Sequence, residues 1–129
     1  MRQPKKDSAW SLGAVRAERE VDDRTWLVVV RADAGLGAAL ALGQRLLGLR
    51  LAGYTTVVVD LGKGEHVTGA VLAVLLQSRR KLELRDGRLA VVAESPGVRS
   101  TLARAGLEVA DPWMHPLPLA AERKDDAHA

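Results

Sequence analysis

The 129 residues contain no cysteine and no phenylalanine, and their aromatic complement is three tryptophans and one tyrosine. Without cysteine there is no disulfide, no thiolate zinc site and no cysteine nucleophile, which suits an intracellular protein. Without phenylalanine the core has to be aliphatic, and Val, Leu and Ala recur throughout. No apolar stretch is long and continuous enough to span a bilayer, so no membrane partner is expected. The basic start Met1-Arg2-Gln3-Pro4-Lys5-Lys6 is followed by Asp7-Ser8-Ala9-Trp10 where a secretory signal would carry an apolar core. The expected location is therefore cytoplasmic.

A one-signed charge excess is also missing. The formal charge is only +3, and acids alternate with bases in Arg16-Ala17-Glu18-Arg19-Glu20 and again in Lys81-Leu82-Glu83-Leu84-Arg85. Nucleic-acid binding needs a clustered basic face and, for single strands, stacking aromatics. Only Arg79-Arg80-Lys81 clusters, and three cations on a helix read as a solvated face. No nucleic-acid partner is expected.

What is present is one domain's worth of apolar residues, 47% of the chain, enough for a core without covalent staples. Residues 1–13 read as a flexible arm, 14–121 as the domain and 122–129 as a polar tail. Ala14 to Val21 alternates as an edge strand does, Asp22-Asp23-Arg24 reads as a turn, and Thr25 to Arg31 is a β-branched strand. From Leu36 the period becomes helical, with Leu36, Leu40, Gly43 and Leu47 as the core stripe, widened by Ala39, Leu42 and Leu46. Thr55 to Asp60 is apolar at every central position, the signature of a strand buried on both faces.

A loop over Gly62 to Val67 leads to the longest expected helix, Thr68 to Arg85, with Val71 or Leu72, Leu75 and Leu82 inward and Arg79 and Arg80 toward water. Asp86-Gly87 ends it, and Arg88 to Ala93 is the next strand. Ser95-Pro96 opens a helix with inward Val98, Leu102 and Ala105, closed by Gly106 before a short strand at Leu107 to Ala110. Such alternation predicts an α/β fold with a mixed, mostly parallel sheet of four or five strands flanked by helices.

The order of steps from Thr55 to Gly106 is similar to that of STAS domains of anti-sigma-factor antagonists. The steps are the strand end Asp60-Leu61, Thr68-Gly69 opening a helix, Gly87-Arg88-Leu89, Ser95-Pro96-Gly97-Val98-Arg99 and Ala105-Gly106-Leu107. The resemblance implies a non-enzymatic binding module in a partner-switching system, without a cofactor or a metal. Its partner would be an anti-sigma-factor kinase-like protein, and a homodimer is a further possibility. It implies phosphorylation at Thr68, the hydroxyl residue before the loop glycine. The partner surface would be Gly62, Lys63, Gly64, Glu65, His66, Val67 and Gly69. A phosphate at Thr68 would meet the unpaired N–H groups and the positive end of the helix. The chain departs from the family at two loop positions. His66 stands where the family carries Asp, and Val67 stands at its first hydroxyl position.

Other readings compete. Threonine before a helical run is an ordinary cap, and a STAS domain that is never phosphorylated would serve as a scaffold or self-association module. A weaker alternative is a nucleotide site at Gly35-Leu36-Gly37, between a strand and a helix, although Leu40 occupies the third glycine position of the dinucleotide fingerprint. No catalytic constellation assembles. Ser95 and Ser100 have no evident base, and Asp60 with Glu65 is the only nearby acid pair.

Overall fold

The computed structural model describes residues 13–110, so the expectations for the remainder of the arm and the tail lie outside the described residues. Five strands, β1 (Val15–Glu20), β2 (Thr25–Val30), β3 (Thr56–Asp60), β4 (Arg88–Val92) and β5 (Glu108–Ala110), form one sheet in the order β1-β2-β3-β4-β5. The hairpin pair β1–β2 is antiparallel and the other pairs are parallel. Three helices join the parallel strands: α1 (Leu36–Leu51), α2 (Gly69–Glu83) and α3 (Pro96–Arg104). The fold is the expected mostly parallel α/β sheet, with five strands among the described residues.

Local chemistry sets each element. The hairpin turn closes with Val21 N–H donating to the Thr25 carbonyl at 2.8 Å and Arg24 N–H to the Asp22 carboxylate at 2.9 Å. That last bond holds the Asp22 carboxyl below its ordinary pKa. The β1–β2 register shifts between Val15 and Ala17, which makes Arg16 a bulge on the edge strand. Thr68 and Ser95 cap α2 and α3, each accepting from the N–H three residues on. At the other end of α2 the chain reverses through Asp86, at φ 60°, and Gly87.

The packing follows strand alternation. One sheet face carries Val28, Val30, Val57, Val59, Leu89 and Val91, and all three helices place their buried residues in the same cluster. The opposite face carries a smaller cluster of Leu27, Val58 and Val92. β3 is therefore apolar on both faces, as its sequence implied.

Several expectations need correction. In α1 the expected Ala39, Leu42 and Leu46 are buried together with Leu49, whereas Leu36 and Leu40 are 67% and 57% exposed. Both stripes have helical spacing, so periodicity alone could not choose between them. With 16 residues against 15, α1 is also longer than α2. Arg79 does not simply face water. Its side chain is 25% exposed, lies 3.8 Å from Glu83 and donates to the Gly106 carbonyl. Ala105 is the cap residue of α3 and is not part of its buried stripe.

At the β4–β5 edge, Arg88 pairs with Glu108 through two hydrogen bonds, that from Nε measuring 2.8 Å. These bonds hold the Glu108 carboxyl below its ordinary value. A carboxylate depressed by folding adds stability above its unfolded pKa, and that stability is lost as pH falls through the folded value. Glu108→Gln should therefore flatten the acid limb below about pH 4.5, the ordinary glutamate range. Urea midpoints of both proteins across pH 3–7 check this, and identical acid limbs would refute it. The effect stays within about 1 kcal/mol, because the pair is exposed.

Candidate functional site

The carboxyl ends of β2 and β3 and the amino end of α2 meet at one edge of the sheet, the place where parallel α/β sheets carry their sites. Two loops build the region, 31–35 after β2 and 61–68 after β3. The second is held firmly. Leu61 N–H donates to the Val92 carbonyl at 2.8 Å, the Asp60 carboxylate accepts from Gly62 N–H at 2.8 Å, and the Gly62 carbonyl accepts from Glu94 N–H at 3.0 Å. Gly62 has φ +60°, a conformation in which a side chain is strained. At Gly64 a Cβ would come within 3.1 Å of the Ala32 Cβ, so the two loops lie against each other.

Thr68 ties them together. Its N–H donates to the Ala32 carbonyl at 3.0 Å, and its hydroxyl donates to the Ala34 carbonyl at 2.7 Å while accepting from Val71 N–H at 3.2 Å. The residue is half-buried, and both its donor and an acceptor position are in use. Ala34 itself is fully buried, so its carbonyl depends on such a partner.

The proposed partner surface divides in two. Lys63, Glu65, His66 and Gly69 are exposed, and a Cβ at Gly69 would meet nothing within 4 Å. Gly62 and Gly64 are half-buried and set the loop's path, and Val67 packs against the main core. These three support the surface and form little of it.

Sequence reasoning missed the other wall. A basin of about 350 Å³ beside the loop is lined by Arg16, Arg31 and Asp33 as well as Lys63, Glu65 and His66. Arg31 and Asp33 form an ion pair at 3.7 Å. The alternation of β1 gave no hint that the bulge would bring Arg16 to this edge. Neither Gly35 nor Gly37 of the nucleotide alternative lines this basin. Asp60, the strand-end acid nearest to Glu65, accepts from Gly62 N–H. Among the described residues no helix is long and apolar enough to cross a membrane.

Comparison with known proteins places this geometry. The chain is similar in structure to the Bacillus cell fate determinant SpoIIAA in its phosphorylated form, with a TM-score of 0.63 at 17% identity over 74% of this chain and 88% of that one. It is also similar to the protein TM1081, with a TM-score of 0.64 at 13% identity over 78% of this chain and 84% of that one. At these identities the likeness concerns the fold. A search of curated proteins finds no match. A family model described as Mlab, STAS domain matches residues 17–116, well over half of the sequence, and the chain belongs to the STAS domain family.

Proposed function

We propose that this chain is a cytoplasmic, non-enzymatic protein-binding module of the anti-sigma-factor antagonist kind. It docks a kinase-like partner through the loop 62–67 and the first turn of α2, and phosphorylation of Thr68 switches the docking off. The observation that carries the reading is the position of Thr68: it caps α2 beside the exposed Lys63, Glu65 and His66. Gly69, next to it, leaves room for a partner's backbone. The likeness of the fold to SpoIIAA, a protein known in a phosphorylated form, supports the same reading.

The geometry gives the switch two effects. Transfer of the γ-phosphoryl group of a nucleoside triphosphate held by the kinase breaks its bond to the bridging oxygen and leaves the nucleoside diphosphate. It forms a Thr68 Oγ1–P bond and passes the hydroxyl proton to a base of the kinase, so the hydrogen bond to the Ala34 carbonyl is lost with it. The phosphate also adds nearly two negative charges to the docking surface, which repels an acidic partner and costs desolvation energy. One event thus loosens the tie between the two loops and changes the charge of the interface.

A second reading keeps the surface without the switch, as a scaffold or self-association module. Its support is that the Thr68 hydroxyl is already committed to Ala34 and Val71, in a loop with His66 and Val67 in place of the family's Asp and hydroxyl residue. Intact-mass analysis of protein from its own cells, with parallel pull-downs of wild type and Thr68→Glu, separates the two. A phosphate mapped to Thr68 and a kinase-like partner lost from the Glu variant are expected. Unmodified protein with the same partners in both forms refutes the switch.

A further inference from the structure

Helix α1 carries a second apolar stripe that the described residues leave largely uncovered. At about 100° per residue, Leu36, Leu40, Leu47 and Leu51 fall within an arc of about 60°. The stripe that enters the core, Ala39, Leu42, Leu46 and Leu49, is centred about 130° away. Leu36, Leu40 and Leu51 are 67%, 57% and 66% exposed, on the side where a globular helix normally places charge. The middle of this stripe forms one wall of a groove between α1 and α2, with Leu40, Gly43 and Leu47 facing Gln77 and Lys81. The helices approach closely there, since a Cβ at Gly43 would lie 3.5 Å from Val74.

The charge along the groove has one sign. α1 contains no acidic residue, and the one acid of α2, Glu83, pairs with Arg79. Arg50 and Lys81 line the groove, and Arg50 Nε is buried without a hydrogen-bond partner among the described residues. Arg80 is exposed on the same helix as Lys81.

We infer that the α1–α2 groove is a second docking surface, separate from the Thr68 loop, that takes an acidic amphipathic helix of a partner protein. A third helix is the natural occupant of a groove between two helices, anchored by apolar residues at helical spacing. Acidic residues flanking those anchors would meet Arg50 and Lys81. A second copy of this chain is a poorer fit, because a symmetric pairing presents the same cations to one another. A membrane surface is poorer as well. The feature is a groove with polar Gln77 in its wall, whereas an interfacial helix presents a broad apolar face to lipid.

The test titrates the full chain with two synthetic helical peptides that share one leucine pattern, one flanked by Glu and the other by Lys. Anionic vesicles and sedimentation equilibrium of the protein alone complete it. The Glu peptide should bind saturably and at least tenfold tighter than the Lys peptide, shifting the amide resonances of Leu40, Leu47 and Lys81. Leu36→Ser/Leu40→Ser and Lys81→Glu should each weaken it at least fivefold. Both alter exposed positions, and circular dichroism checks that they fold. The titration uses unmodified protein and reads the groove alone, so failure here is distinct from failure of the phosphorylation switch. Equal or absent binding of the two peptides overturns the inference. So does vesicle binding without peptide binding, or a dimer that the Leu36/Leu40 variant abolishes.

Discussion

Replacing Gly87 with alanine is expected to lower the thermal midpoint by about 10–20 °C, the equivalent of about 2–3 kcal/mol in a domain of this size. The reason is space. A Cβ at Gly87 would sit 2.6 Å from the Thr55 carbonyl oxygen and 3.0 Å from that of Leu82, and both obstacles are backbone. Those carbonyls are also fixed by function in the fold: Gly87 N–H donates to Leu82 and Arg88 N–H to Thr55, each at 2.8 Å. Relief would require moving the end of α2 away from the start of β4 or breaking the first contact between β3 and β4. Gly48→Ala is the matched control. It lies within α1 and a Cβ there meets nothing within 4 Å, so it should stabilise by about 0.5–1 kcal/mol through helix propensity. Thermal and urea denaturation of the two variants should move in opposite directions, and a Gly87→Ala protein as stable as wild type would show that the turn can give.

The second large effect is expected at Thr68, through stability as well as signalling. Valine has nearly the shape of threonine but neither donates to the Ala34 carbonyl nor accepts from Val71 N–H. Loss of the cap costs about 1 kcal/mol, and leaving the buried Ala34 carbonyl unpaired adds about 1–2 kcal/mol. Thr68→Val should therefore destabilise by about 2–3 kcal/mol, with hydrogen exchange accelerated at Val71. Thr68→Ser keeps both bonds and should recover most of the loss. A valine variant equal to the serine variant in stability and exchange would mean that the tie between the loops contributes nothing. The comparison matters for any partner assay, because a Thr68 variant that fails to bind could be reporting a loosened loop. Serine distinguishes the two causes.

The parts of the molecule that were legible in the sequence are those where one local signal decides. β3 is apolar at every centre and proved buried on both faces, and Ser95-Pro96 produced the cap and first turn of α3. Thr68 was recognisable as a helix start for the same reason. Its bond to Ala34 was not, because a contact between residues 34 positions apart leaves no mark on local spacing. α1 shows the other limit. Its outer leucines have the same helical spacing as its inner residues, and only the neighbouring sheet and α2 decide which stripe is covered. Arg16 reached the basin through a bulge, which one charged residue in an alternating strand does not announce.

The order of the strands across the sheet is their order along the chain, and this bears on how the molecule is made. Each parallel strand adds beside the one synthesised just before it, so no strand waits for a distant partner and none must be inserted between two already paired. Loops to be closed stay short, which keeps the entropic cost of each addition low. On a ribosome the β1–β2 hairpin can form first and serve as a template for β3, then β4, then β5, with each helix settling on the same face as its strand joins. The growing edge is the hazard of such a route: until the next strand arrives, the last one exposes its unpaired backbone groups, and an arrested chain would offer that edge to its neighbours.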